Sequence, residues 1–194
     1  EYPENTPTPC REKDFWDGLP EELHAPYALA KKMLLVQAQA YEKQYDFKGI
    51  HLLMTNMYGP GDAKIGTVIP TMARRIWEAK RDHKPFIEVW GTGKAIRDFL
   101  YVKDAALGIV LALEKYDMSE PVNIGSGKGV SIRELAELLA KLLDFKGELR
   151  FDTSKPEGQM LRVVDTSRAE REFGFKASTD LETGLEATIK SYKF

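Results

Sequence analysis

The feature that most constrains this chain is an alternation. Short apolar runs with strand character, at residues 49–55, 86–90, 97–102, 122–124 and 148–152, are separated by segments with helical periodicity at 23–45, 68–81 and 103–115. The run at 49–55 is apolar throughout, as a strand covered on both faces would be. Strands that alternate with helices imply an α/β fold with a mainly parallel sheet. The second half holds more helix and irregular chain than that sheet accounts for. Three Ser/Thr-x-x-Glu patterns, Ser131 with Glu134, Ser167 with Glu170 and Thr179 with Glu182, read as capping boxes that open three further helices.

Composition narrows the function classes. A chain of 194 residues suits one domain, or one and a fraction. Net charge is -2 and no basic stretch alternates with aromatics, so nucleic acid is not an expected partner. The longest apolar run, 105–113, falls far short of the ~20 residues that span a bilayer, so no membrane is expected either. Cys10 is the single cysteine, which excludes an internal disulfide and suits a reducing cytoplasm. With His24, His51 and His83 scattered, no metal site is expected. The chain starts without Met on a polar, loop-like stretch, as expected for a piece of a longer chain.

One pattern bears directly on chemistry. Tyr27 and Lys31 lie four residues apart near the start of the 23–45 helix, which brings them to one face. An ammonium beside a phenol favours the phenolate, and such a phenol exchanges protons with sugar or alcohol oxygens. Alone the pattern is weak: eight tyrosines give on the order of one chance match. The turn-rich stretch 56–62 sits at the C-terminal end of the 49–55 run, where open α/β sheets bind ligands. The loop Gly125-Ser126-Gly127-Lys128-Gly129 resembles a phosphate cradle, but it has the spacing of neither phosphate fingerprint. The plainer reading is a tight strand-to-helix connection. Residues 1–22 read as a loop packed by Phe15 and Trp16. The 23–45 helix is apolar over so wide an arc that it is expected to pack against two neighbours, a sheet and a second copy of the chain.

Several segments, taken in order, resemble one family. They are Tyr2-Pro3-Glu4, Tyr27-Ala28-Leu29-Ala30-Lys31, Thr55 to Pro60, Val68-Ile69-Pro70 with Arg74-Arg75, Trp90 to Gly93, Arg97 to Asp104, Val122 to Gly127, Ser154 to Gly158 and Asp165 to Arg168. Together they resemble the extended short-chain dehydrogenase/reductases, the NAD-dependent nucleotide-sugar epimerases and dehydratases. Within that superfamily the Trp90 loop and the 154–158 loop look most like the fucose synthases. The resemblance implies the C-terminal part of a Rossmann-type parallel sheet, residues 1–60 with 96–126. It also implies a smaller mixed α/β substrate domain, residues 61–95 with 127–194.

The same resemblance implies a role for each matched residue. Tyr27 would protonate O4 of the sugar as hydride reaches C4, and Lys31 would hold the nicotinamide ribose. Met54, Thr55, Asn56 and Met57 would line the pocket for NAD or NADP. Asn56, Thr67, Val68, Arg75, Trp90, Arg97 and Asp165 would contact the nucleotide-sugar. The physics agrees: a guanidinium fork suits diphosphate oxygens, and an indole stacks on a base or ribose. Each has an ordinary alternative: a surface ion pair for the arginines, a core aromatic for Trp90, a helix cap for Asp165.

Two departures qualify the resemblance. No Gly-x-x-Gly-x-x-Gly follows a strand, so the chain as it stands is expected to lack the dinucleotide phosphate grip and to be inactive by itself. Thr67 stands where fucose synthases carry an acid/base histidine, and threonine does not exchange protons near neutral pH; a 3,5-epimerase step is therefore not expected from this position. The competing expectations are part of an NAD(P)-dependent nucleotide-sugar epimerase/reductase acting at C4, or a non-catalytic nucleotide-sugar-binding module. A homodimer through the 23–45 helix is expected in either case.

Overall fold

A computed structural model describes residues 1–62 and 66–192. Helix α1 (Ala25–Tyr45) leads into strand β1 (Leu52–Met54), and strand β2 (Asn56–Tyr58) follows one residue later. Then come α2 (Val68–Arg81), β3 (Phe86–Trp90), β4 (Ile96–Tyr101), α3 (Val102–Lys115), β5 (Val122–Ile124) and β6 (Gly129–Ser131). The chain finishes with α4 (Ile132–Leu142), β7 (Glu148–Asp152), β8 (Leu161–Arg162), α5 (Ser167–Phe173) and α6 (Leu181–Ser191).

The fold is mixed α/β with parallel pairing dominant. β1 pairs in parallel with β5, Leu53 opposite Asn123, with α3 in the crossover. β4 is the hub of a second sheet: parallel to β2 and β8, antiparallel to β6. β3 and β7 form a parallel pair, Phe86 opposite Glu148 through Trp90 opposite Asp152. Thr55 stands where the chain leaves one sheet for the other, and its N–H donates to the Ile124 carbonyl.

Two larger cores and one small one hold these layers. Buried faces of α2 (Ile69, Met72, Ala73, Ile76) and α4 (Leu135, Leu139) pack with β3, with Tyr58 and with Leu185 of α6. Leu100, Val122, Ile124, Phe173 and Phe175 form the core under α3 and α5. Phe15, Leu35 and Leu53 join the N-terminal segment to α1 and β1.

Three sequence expectations are corrected. The 49–55 run is strand only at 52–54, and 56–58, expected as loop, is a strand because β4 offers it a ladder. Phe15 is buried but Trp16 is mostly exposed, so one ring rather than a pair anchors the N-terminal segment. Only Ser131 caps as expected, with Glu134 completing the box. For α6 the cap is Asp180, whose carboxylate takes the Thr183 N–H, and for α5 the N-cap position is Thr166. Within one chain α1 buries Ala28, Lys32 and Leu35 and leaves Leu29, Met33, Leu34, Val36, Tyr41 and Tyr45 exposed. No described helix is long and apolar enough to cross a membrane.

Candidate active site

The rotation of α1 about its axis decides what Tyr27 faces. Leu35 is sealed against Phe15 and Leu53. Lys32, one position after Lys31, turns inward: its ammonium donates to the Phe15 carbonyl and lies 4.6 Å from the Phe15 ring centre and 5.0 Å from that of Trp16. Burial lowers the proton affinity of that amine. With residues 28, 32 and 35 inward, Tyr27 is left 63% exposed at the edge of a cleft. Lys31 follows one turn later, its ammonium 5.7 Å from the Tyr27 ring centre. Pro26 lies in the first turn, where its missing N–H costs nothing.

The cleft is a cavity of about 560 Å³. Tyr27 and Ala28 form one wall; Met54, Thr55 and Asn56, at the C-terminal end of β1, form the floor. Arg97 and Asp98 of β4, Gln159, Arg162, Glu21 and His24 complete it. A second hollow of about 240 Å³ shares Asn56 and Arg97 with the first and adds Val68, Trp90, Phe99 and Glu157. Trp90 is half exposed, and the Arg75 guanidinium carbon lies 5.5 Å from its ring centre.

Most of the residues singled out by sequence therefore converge. Tyr27, Met54, Thr55, Asn56 and Arg97 line the cavity, Val68 and Trp90 line the adjoining hollow, and Arg75 lies against Trp90. Five line neither space: Lys31, one turn from Tyr27, Arg75, against Trp90, and Met57, Thr67 and Asp165. Met57 is half exposed on β2. Thr67 is the N-cap residue of α2. The Asp165 carboxylate accepts the Ser167 N–H at 2.9 Å and pairs with Arg11 at 3.3 Å; these contacts hold its carboxyl below the usual range.

Polar support behind the cavity comes from Asp98, which is 1% exposed. Its carboxylate accepts from the Ser126 N–H at 2.9 Å, the Ser126 hydroxyl at 2.6 Å and the Gly127 N–H at 3.0 Å. Its carbonyl accepts from the Asn56 amide at 3.0 Å. The Gly125-Ser126-Gly127 loop is thus an anion cradle filled from within. Glycine is needed there, since a Cβ at 125 would stand 2.6 Å from Val164 and 2.9 Å from an Asp98 oxygen. The Trp90 loop repeats the device: Glu157 accepts from the Thr92 N–H at 3.0 Å and from its hydroxyl. The Thr92 hydroxyl and burial act in opposite senses on Glu157, and the hydrogen bonds win, lowering its pKa.

Arg97 donates to the Ile96 carbonyl at 2.9 Å, and among the described residues no carboxylate forms an ion pair with it. Burial, and then the neighbouring charge of Arg162, lower its pKa. A half-buried guanidinium with spare donors beside a second cation is placed to take an anion. Arg162 itself donates to the Pro3 and Glu4 carbonyls at 2.9 and 3.0 Å. For a nicotinamide dinucleotide, the nicotinamide-ribose end fits: the Tyr27 phenol and the end of β1 line the cavity, and the Lys31 ammonium follows that phenol by one helical turn. The 91–93 and 125–127 loops are already occupied by carboxylates of the chain itself.

Sequence reading missed His24, Glu21, Asp98 and Arg162. His24 was legible in principle, since it precedes Tyr27 by three positions and so shares its side of the helix start. Arg162 was not, because only the β8 pairing brings it to the cavity.

Residues 1–125 match the NAD dependent epimerase/dehydratase family. A probable GDP-L-fucose synthase 1 of Oryza sativa subsp. japonica is 38% identical over 194 residues, covering 98% of this chain and 59% of its own length. The GDP-L-fucose synthase of Escherichia coli (strain K12) is 33% identical over 201 residues, covering 97% and 62%. Among solved structures, MlghC, a GDP-mannoheptose C4 reductase from Campylobacter jejuni with NADP bound, superposes with a TM-score of 0.89 at 29% identity, covering 100% of this chain and 65% of that one. The chain thus spans about three fifths of the length of these relatives.

Proposed function

We infer that this chain, which belongs to the NAD dependent epimerase/dehydratase family, is the substrate-facing part of a nucleotide-sugar epimerase/reductase that acts at C4 of a GDP-sugar. The observation that carries this reading is the placement of Tyr27 with Lys31 one turn away, on the wall of a cavity that also holds Arg97. Tyr27 donates its proton to the sugar oxygen at C4. Lys31 binds ribose hydroxyls and favours the phenolate left behind. Backbone at Met54 to Met57 borders the nicotinamide. The reduced dinucleotide, NADH or NADPH, would supply the hydride and leave as NAD or NADP.

The sugar diphosphate lies along Arg97 with its base toward Trp90 and Arg75. Thr67 and Val68 border it at the start of α2, and Asp165 reaches it through hydroxyls of the ligand. Residues 1–60 with 96–126 act as part of the dinucleotide-binding domain, and 61–95 with 127–194 as the substrate domain. Two copies associate through α1.

Calorimetric titration of the full-length protein with GDP, UDP and NADPH tests the reading. Expected are binding of GDP in preference to UDP, and NADPH oxidation on adding a GDP-4-keto-sugar. Nucleotide binding with no dinucleotide binding would instead mark a binding module; no nucleotide binding at all would remove the site.

A further inference from the structure

The segment before α1 contributes a second proton-active group to the cavity. His24 is the N-cap residue of α1, three positions before Tyr27, and both side chains line the same space. Residues three apart at a helix start share a face. The His24 Nδ1 lies 3.0 Å from an Glu21 carboxylate oxygen. A carboxylate only accepts, so Nδ1 carries the proton and Nε2 is the exchanging position. The imidazole is 65% exposed, so it touches both cavity and solvent. No other cavity-lining imidazole occurs among the described residues.

We propose that His24, oriented by Glu21, is the relay that returns a proton from solvent to Tyr27 after each turnover. The proposal rests on the functional reading above, because it needs Tyr27 to lose its proton to substrate. That step breaks the phenol O–H bond and leaves a phenolate. The imidazolium then gives its Nε2 proton to the phenolate oxygen, directly or across one water, and becomes neutral imidazole. Solvent reprotonates Nε2, so no oxidant, reductant or further reactant is consumed. The carboxylate of Glu21 steadies the transient imidazolium, as a buried or half-buried acceptor does for an oriented histidine. Arg97 and Arg162 are the other cationic side chains that line the cavity among the described residues.

The test uses the full-length protein with a GDP-4-keto-sugar and NADPH, comparing wild type with His24→Gln and Glu21→Gln. Glutamine keeps a hydrogen-bonding side chain and cannot carry a proton. Expected for His24→Gln is a fall of about ten-fold or more in kcat with KM unchanged, partial rescue by added imidazole, and a larger solvent deuterium isotope effect. Glu21→Gln should give a smaller loss of the same kind. Wild-type kcat in His24→Gln overturns the relay while leaving the functional reading intact. So does a loss that imidazole does not rescue and that comes with a raised KM. A wild-type protein that binds GDP yet reduces nothing overturns the functional reading, and the relay with it.

Discussion

At the scale of single residues, Asp98 ties the site together. One carboxylate closes the 125–127 loop, and the same residue's carbonyl fixes the Asn56 amide on the cavity floor. Asp98→Asn presents an amide N–H₂ to donors that need an acceptor. It should cost about 1–3 kcal/mol in denaturant unfolding, the range for a buried donor left unsatisfied. Loosened Asn56 should also weaken GDP binding in the same variant. The Tyr27–Lys31 pair was legible in the sequence because helical spacing alone puts both on one side. Asp98 was not, since a polar residue in a strand pattern reads as solvent-facing until the neighbouring loop is seen to bend over it. Asp165 shows the converse. Its carboxylate is engaged by Ser167 and Arg11, so any contact with a ligand has to compete with these bonds.

At the scale of elements, the start of α4 is the clearest balance of local forces. The Ser131 hydroxyl accepts the Glu134 N–H at 3.1 Å, and the Glu134 carboxylate accepts from the Ser131 N–H at 2.8 Å. Ser131→Ala should destabilise by about 1 kcal/mol in thermal or chemical unfolding. The Ser131 bonds hold the Glu134 pKa below its ordinary 4.5. A depressed folded-state value means the contribution is complete above that ordinary value and is lost as pH falls through the folded one. The melting difference between wild type and Ser131→Ala should therefore narrow in acid; a gap that widened on acidification would contradict the capping-box account. Periodicity located α2, β3, β5 and β7 at their observed bounds because each is long or sharply bounded enough to show a pattern. β2, β6 and β8 run only two or three residues and exist through pairing with β4, a long-range fact with no local signature. The misplaced caps at 167 and 179 have a similar cause. Asp180 competes for the α6 start, and the Thr179 N–H is drawn to Asp104 at 2.9 Å.

At the scale of the whole molecule, the uncovered side of α1 matters most. Leu29, Met33 and Val36 are each at least 44% exposed and lie along one side of the helix, about 100° round from the Ala28, Lys32 and Leu35 face. If two copies meet there, as we propose, Met33→Glu should convert a dimer into a monomer in light scattering. It should leave the fold intact, because the residue makes no core contact. A wild-type monomer at high concentration would contradict the dimer. The central claim concerns chemistry, however, and rests on the phenol at the cavity edge. Its most direct test is Tyr27→Phe in the full-length protein, with NADPH oxidation followed against a GDP-4-keto-sugar and GDP affinity measured in parallel. The account predicts that kcat falls by roughly 10²-fold or more while GDP affinity holds. Turnover undiminished in the phenylalanine variant would contradict it.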